Sequence, residues 1–167
     1  MTQKKRPTEP SGRGRRAALL RELGDVARRH MASYALFNQA LADHLGLHPT
    51  DLQCLNLLGL ESAPVTTGRI AALTGLTTGS ATRLVDRLEK AGYVERRRDT
   101  EDRRKVLVEV VPERMAELGA VWGRLNGAWW EMFAAYGDDE IELIATHMRR
   151  TIELSTTQIE RLRGGRV

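Results

Sequence analysis

Apolar positions recur every three to four residues over most of this chain, and every second residue in one short stretch. From Ala17 to Leu45 they fall at Leu19, Leu20, Leu23, Val26, Ala27, Met31, Tyr34, Phe37, Leu41 and Leu45, with His30 on the same stripe. This is the spacing of an amphipathic helix, which Gly46 ends. About 28 residues at 1.5 Å each give a helix about 42 Å long. That is longer than a domain of this size is wide, so the first helix is expected to span two bodies or a dimer interface. Pro49 and Thr50-Asp51 open a second helix with Leu52, Leu55 and Leu58 inward, and Glu61-Ser62-Ala63-Pro64 closes it. Thr67 is the expected cap of a short third helix carrying Ile70, Ala71 and Leu73. Gly75 breaks the pattern, and Thr77 is the expected N-cap of a fourth helix that runs to Ala91 and stops at Gly92.

The period then changes to two. Tyr93-Val94-Glu95-Arg96-Arg97 and Lys105-Val106-Leu107-Val108-Glu109-Val110 read as two strands around the polar turn 98–104. Pro112 restarts helix, with Met115, Leu118, Val121, Trp122, Leu125, Trp129, Met132 and Phe133. Gly137-Asp138 interrupts it, and Asp138 is expected to cap a last helix carrying Ile141, Ile144, Met148, Ile152 and Ile159. The predicted class is mainly α with a small β-hairpin wing: a winged helix-turn-helix lobe plus a helical body. The expected organisation is a flexible basic arm over 1–16, a helical region over 17–46 and 112–162 (which the family resemblance given below implies is for dimerisation), a winged helix-turn-helix domain over 47–111, and a basic tail over 163–167.

Composition narrows the class further. With 167 residues, 41% hydrophobic and 29% charged, the chain can build a globular core. Cys54 is the single cysteine, so no intrachain disulfide framework exists and a reducing, cytoplasmic setting is expected. No stretch approaches 18 uninterrupted apolar residues, and no apolar segment follows the basic start, so neither a membrane span nor a secretory signal is expected. The net charge is +4, but positions 1–16 hold six basic residues against one acid. The rest of the chain is therefore close to neutral, and the distribution of charge matters more than its total.

That distribution is concentrated on one helix face and one hairpin. Ala81, Leu84, Val85 and Leu88 form the inward stripe of the fourth helix, while Gly79, Thr82, Arg83, Asp86, Arg87 and Lys90 repeat the spacing on the opposite side. The helix opens with Thr77, Thr78, Gly79 and Ser80, small or hydroxyl-bearing residues that allow close approach to base edges and phosphates. Arg83 and Arg87, one turn apart, are each suited to fork onto guanine O6/N7 or to clamp a phosphate. Around the hairpin, Arg96, Arg97, Arg98, Arg103, Arg104 and Lys105 alternate with Glu95, Asp99, Glu101 and Asp102. Neutralising phosphate needs no acids. A structured tip does, because Asp carboxylates accept turn N–H groups and hold Arg side chains. An Arg held at a hairpin tip suits a narrow, electronegative minor groove.

Leu73-Thr74-Gly75-Leu76, the run from Ser80-Ala81-Thr82-Arg83-Leu84-Val85-Asp86-Arg87-Leu88 through Gly92-Tyr93-Val94-Glu95-Arg96, and Asp99-Thr100-Glu101-Asp102-Arg103-Arg104 together resemble the multiple antibiotic resistance regulator (MarR) family. The resemblance extends to the layout of residues 17–162. It implies a dimeric winged-helix transcription factor that binds double-stranded DNA, in which the terminal helices interlock as the dimer body. It also implies a recognition helix over about 78–91, with Arg83 as the frequent DNA-contacting arginine, Arg103 and Arg104 as the wing-tip pair, and Asp102 as the wing-bracing aspartate. Arg97 and Arg98 complete the expected wing contacts. One departure is clear: Val111-Pro112-Glu113-Arg114 stands where family members often have Thr-x-x-Gly, which puts the strand-to-helix junction in question.

The resemblance further implies an effector cleft walled by helices one, two and five, with His30, Tyr34, Trp122 and Trp129 as expected lining and a small aromatic molecule as the effector. No cofactor and no metal are expected. His44 and His48 are four apart, but Gly46 and Pro49 keep them off one helical face. Cys54, among apolar neighbours, reads as buried and inert. The run Gly75-Leu76-Thr77-Thr78-Gly79-Ser80 is one residue short of a phosphate loop and lacks its Lys, and no other catalytic constellation is present. The competing class is a winged-helix protein-interaction module without DNA binding. A steep loss of DNA affinity with salt separates the two.

Overall fold

A computed structural model describes residues 12–165. Its elements in chain order are α1 (Gly12–Leu45), α2 (Pro49–Leu58), β1 (Val65–Thr66), α3 (Thr67–Thr74), α4 (Thr78–Lys90), β2 (Val94–Arg98), β3 (Val106–Val110), α5 (Pro112–Phe133) and α6 (Asp138–Arg163). The chain divides into two compact units, one running through Met115 and the other from Ala116 onward.

The first unit holds the core. Leu52, Leu55, Ile70, Leu84, Val85, Leu88, Val94 and Val108 are almost completely removed from water, with Leu41 and Ala42 of α1 beside them. These are the inward positions of the periodic stripes, so α2, α3 and α4 pack through the faces that the spacing marks, and α1 packs on α2. The hairpin forms as expected, in the register Arg96↔Val108. A third strand joins it, giving the antiparallel order β1-β3-β2 with Val65↔Val108. β1 has two residues, too few for a period of two to show in the sequence.

Several boundaries differ from expectation, most of them by one residue; α6 runs to Arg163, the first position of the expected basic tail, of which 166–167 lie outside the described residues. α1 begins at Gly12, so positions 12–16 of the expected flexible arm are helical, while positions 1–11 lie outside the described residues. Arg is a good helix former, and extending an existing helix is easier than starting one. At 34 residues the helix is about 51 Å long. The cap of α3 is Thr66, not Thr67: Thr66 Oγ1 accepts from Arg69 N at 3.2 Å. The cap of α6 is Gly137, not Asp138, and Glu140 Oε2 reaches back to accept from Gly137 N at 2.9 Å. Gly75 ends α3 at φ 74°, a left-handed conformation that Gly adopts without steric cost.

The junction left open by the missing Thr-x-x-Gly is held in other ways. Val111 N donates to Tyr93 O at 2.9 Å, and Met115 N donates to Val111 O at 3.0 Å. The Arg114 guanidinium sits 4.6 Å from the centre of the Tyr93 ring. Pro112, in the first turn of α5, has no N–H to satisfy there.

In the second unit, α6 has no buried residue in its 26. Phe133 and Tyr136 stack at a tilt near the end of α5, 6.1 Å between ring centres. Among the described residues no helix is long and apolar enough to cross a membrane.

Candidate nucleic-acid interface

α4 is built to bury one side and offer the other. Ala81, Leu84, Val85 and Leu88 are buried, whereas Thr78, Gly79, Thr82, Arg83, Asp86, Arg87 and Lys90 are exposed. Thr77 caps the helix: its Oγ1 accepts from Ser80 N at 3.3 Å and donates to Ser80 Oγ at 3.0 Å. Thr82 Oγ1 donates to Thr78 O at 3.0 Å, leaving its lone pairs outward. A Cβ built on Gly79 meets nothing within 4 Å, so its own fold does not call for glycine there. A glycine in a helix costs about 1 kcal/mol relative to Ala, and here it keeps the first turn bare. Thr77→Ala removes the cap and is expected to lower stability by about 1 kcal/mol, read as a shift in the urea midpoint at unchanged m-value.

The arginines of α4, the hairpin and its tip divide into two sets by their side chains. Arg83, Arg98 and Arg103 are exposed and make no hydrogen bond or ion pair among the described residues. The others are engaged. Arg96 bridges β2 to α4, bonding Asp86 at 2.6 Å and also Glu89. Arg97 bonds Glu109 across the hairpin at 2.7 Å. Arg87 is held by Asp51 of α2, with Nε and Nη2 at 2.8 and 2.5 Å from the two carboxylate oxygens. Two expected DNA contacts, Arg87 and Arg97, thus already hold partners within the chain, as does Arg104 through Asp102.

Two aspartates organise the wing tip. Asp99 Oδ1 accepts from Glu101 N at 2.8 Å and Asp102 N at 3.3 Å. Asp102 Oδ1 accepts from Arg104 N and Arg104 Nε, both at 3.2 Å, with Lys105 Nζ 3.9 Å from the other oxygen. The Arg104 side-chain bond, then its backbone bond, hold the Asp102 carboxyl below the usual carboxylate range. Arg104 itself is 91% exposed, so one edge of its fork is anchored and the rest projects outward.

A MarR family model matches residues 45–105. The chain is 36% identical, over 92% of its length and 99% of the relative's, to YcgE of Bacillus subtilis (strain 168), described as an uncharacterized HTH-type transcriptional regulator. The chain belongs to the MarR family. Among solved structures, a MarR family protein from Bacillus stearothermophilus superposes with a TM-score of 0.66 at 21% identity, over 84% of this chain and 97% of that one. A transcriptional regulator from Thermotoga maritima does so at 0.57 and 18% identity, over 84% and 98%. At these identities the two show the fold.

This MarR-family chain is a winged-helix DNA-binding transcriptional regulator, and its relatives are regulators, not enzymes. Of the expected effector lining, His30 and Tyr34 lie exposed on α1 in the first unit, and Tyr34 borders a cleft of about 550 Å³ with Asn38, Pro49, Gln53 and Leu57. Trp122 and Trp129 lie on α5 in the second unit, where Trp129 borders a groove with Ala128 and Met132. Among the described residues no three His, Cys, Asp or Glu side chains gather to hold a metal ion. Cys54 is buried, and burial and then the Asp51 charge push its thiol up to about 12. The feature that sequence reasoning missed is Asp51, which is buried. An acid in a first helical turn is ordinary, so its pattern gave no signal.

Proposed function

We propose that this MarR-family regulator is a homodimeric repressor that binds a palindromic operator and releases it when a small aromatic effector binds. The observation that carries operator binding is the face of α4 from Thr78 to Arg83. It is exposed, bare at Gly79 and headed by an uncommitted arginine. Arg103, and the outward part of Arg104, stand on the wing beside it for a flanking minor groove. Dimerisation is supported by the apolar residues that α1 and α6 leave in water, among them Leu19, Leu23 and Val26 on α1 and Met148, Ile152 and Ile159 on α6. The effector reading draws on the open cleft at Tyr34, where a ligand works by favouring a dimer whose recognition helices are wrongly spaced.

Selection of bound fragments from random genomic DNA tests this reading. Inverted repeats with half-sites about 10 bp apart are expected. Binding to such a fragment should fall steeply and linearly on a log–log salt plot. Arg104→Ala should weaken binding most on fragments with A·T-rich flanks. A loss that ignores flank sequence would remove the minor-groove role. Selection that enriches no common sequence would overturn the operator reading as a whole.

A further inference from the structure

Asp51 is the single buried polar or charged side chain among the described residues, at 3% exposure. It stands in the first turn of α2, where its backbone N–H is bound to His48 O at 2.9 Å. Its carboxylate takes both arms of the Arg87 fork, at 2.8 and 2.5 Å, across 36 residues of sequence. Arg87 is half exposed, one turn beyond Arg83 on the outward face of α4. A cavity of about 470 Å³ opens beside the pair, bordered by Ser80, Arg83 and Thr50.

Stability does not explain this pair. Breaking a buried ion pair by removing one partner is costly, but replacing both by apolar residues of similar volume is often neutral or stabilising. The apolar stripe of α4 sets how deep the helix sits. It sets rotation about the helix axis and sliding along it less well, because apolar contact is non-directional. A two-bond fork between planar groups fixes direction as well as distance.

We propose that Asp51 is a positioning residue for DNA recognition: by gripping Arg87 it fixes the rotation and axial setting of α4, and so presents Arg83 and the Thr78–Ser80 turn in one register. This rests on the reading that α4 contacts DNA. Asp51 touches no DNA itself in this scheme.

Charge and positioning predict opposite signs for Asp51→Asn. Removing a negative charge near DNA and loosening a cation should strengthen binding to every sequence. Loss of register should weaken binding to the selected operator by roughly tenfold or more, the value of one misplaced base contact, while affinity for scrambled DNA holds or rises. The experiment measures the affinity of the parent, Asp51→Asn and the apolar pair Asp51→Leu/Arg87→Met for both DNAs, with urea unfolding of each protein. The apolar pair is expected to unfold near the parental midpoint and to lose discrimination at every base position of the half-site, whereas loss of a direct Arg87 contact would show at one base pair only, which keeps the test decisive if Asp51→Asn folds poorly. Operator and scrambled affinities rising together, or discrimination preserved in a folded variant, would overturn the positioning role alone. A parent that does not discriminate between the two DNAs overturns the α4 reading, and the positioning role with it.

Discussion

Glutamates at Met148 and Ile152 together are expected to split the protein into monomers and to lower its affinity for a palindromic operator by about 10²–10⁴-fold, the advantage of joining two weak binding modules. Ile141, Met148, Ile152 and Ile159 are separated by seven, four and seven residues, so they share one narrow strip of α6. Met148 is 51% and Ile152 65% exposed. A 26-residue helix with none of its residues buried gains little stability from its own chain, and in the proposed dimer a partner that covers this strip would supply the missing burial. Two carboxylates forced into that interface, without cations placed to meet them, are disfavoured by several kcal/mol. The same side chains are largely in water in the single chain, so the first unit should keep its fold, while α6 without its cover should lose part of its helical circular dichroism. Light scattering after size exclusion reads the mass, and gel shift reads the affinity. A variant that keeps the dimer mass and the parental affinity would show that this strip is not the dimer face.

The arginines show where sequence reading stops. Arg83, Arg87, Arg97, Arg103 and Arg104 all stand in polar local settings that do not tell them apart. What separates them is the location of the acids. Arg87 finds its carboxylate 36 residues away, and Arg97 finds Glu109 twelve away on the neighbouring strand. Such pairings follow from how elements pack and from strand register, which no local window contains. By contrast, the Asp99 and Asp102 bonds that shape the wing tip span two or three residues and were legible as turn chemistry. Helix caps fall between these cases. Thr66 and Thr67 are both hydroxyl residues, and only the backbone geometry selects Thr66. The buried stripes of α2 and α4 were legible because burial enforces a strict period. The stripe of α6 and that of α1 before Phe37 have the same period, yet in the single chain they remain largely in water. Periodicity marks what is to be covered, not what covers it.

Arg83→Ala is expected to weaken operator binding by about 1–3 kcal/mol, roughly 5–150-fold, if the guanidinium forks onto a guanine. Arg83 is the cation on the outward face of α4 that is left uncommitted near its start, since Arg87 is tied to Asp51 and Lys90 lies at the far end of the helix. Its exposure means that Ala leaves no cavity and no unpaired buried group, so the urea midpoint should stay close to the parental value. Arg83→Lys separates the two modes of contact. Lysine keeps the charge and loses the planar fork, so a base-reading arginine is poorly replaced, whereas a phosphate contact largely survives. The two modes also part on scrambled DNA. Loss confined to the operator, strongest against one base pair in each half-site, identifies base readout. Equal loss on all sequences, with a salt slope shallower by about one, identifies a phosphate contact. In that case recognition of sequence falls to the bare first turn from Thr78 to Ser80 and to the wing, and a selected operator should then show its information in groove shape at the flanks more than in single bases at the half-site centres.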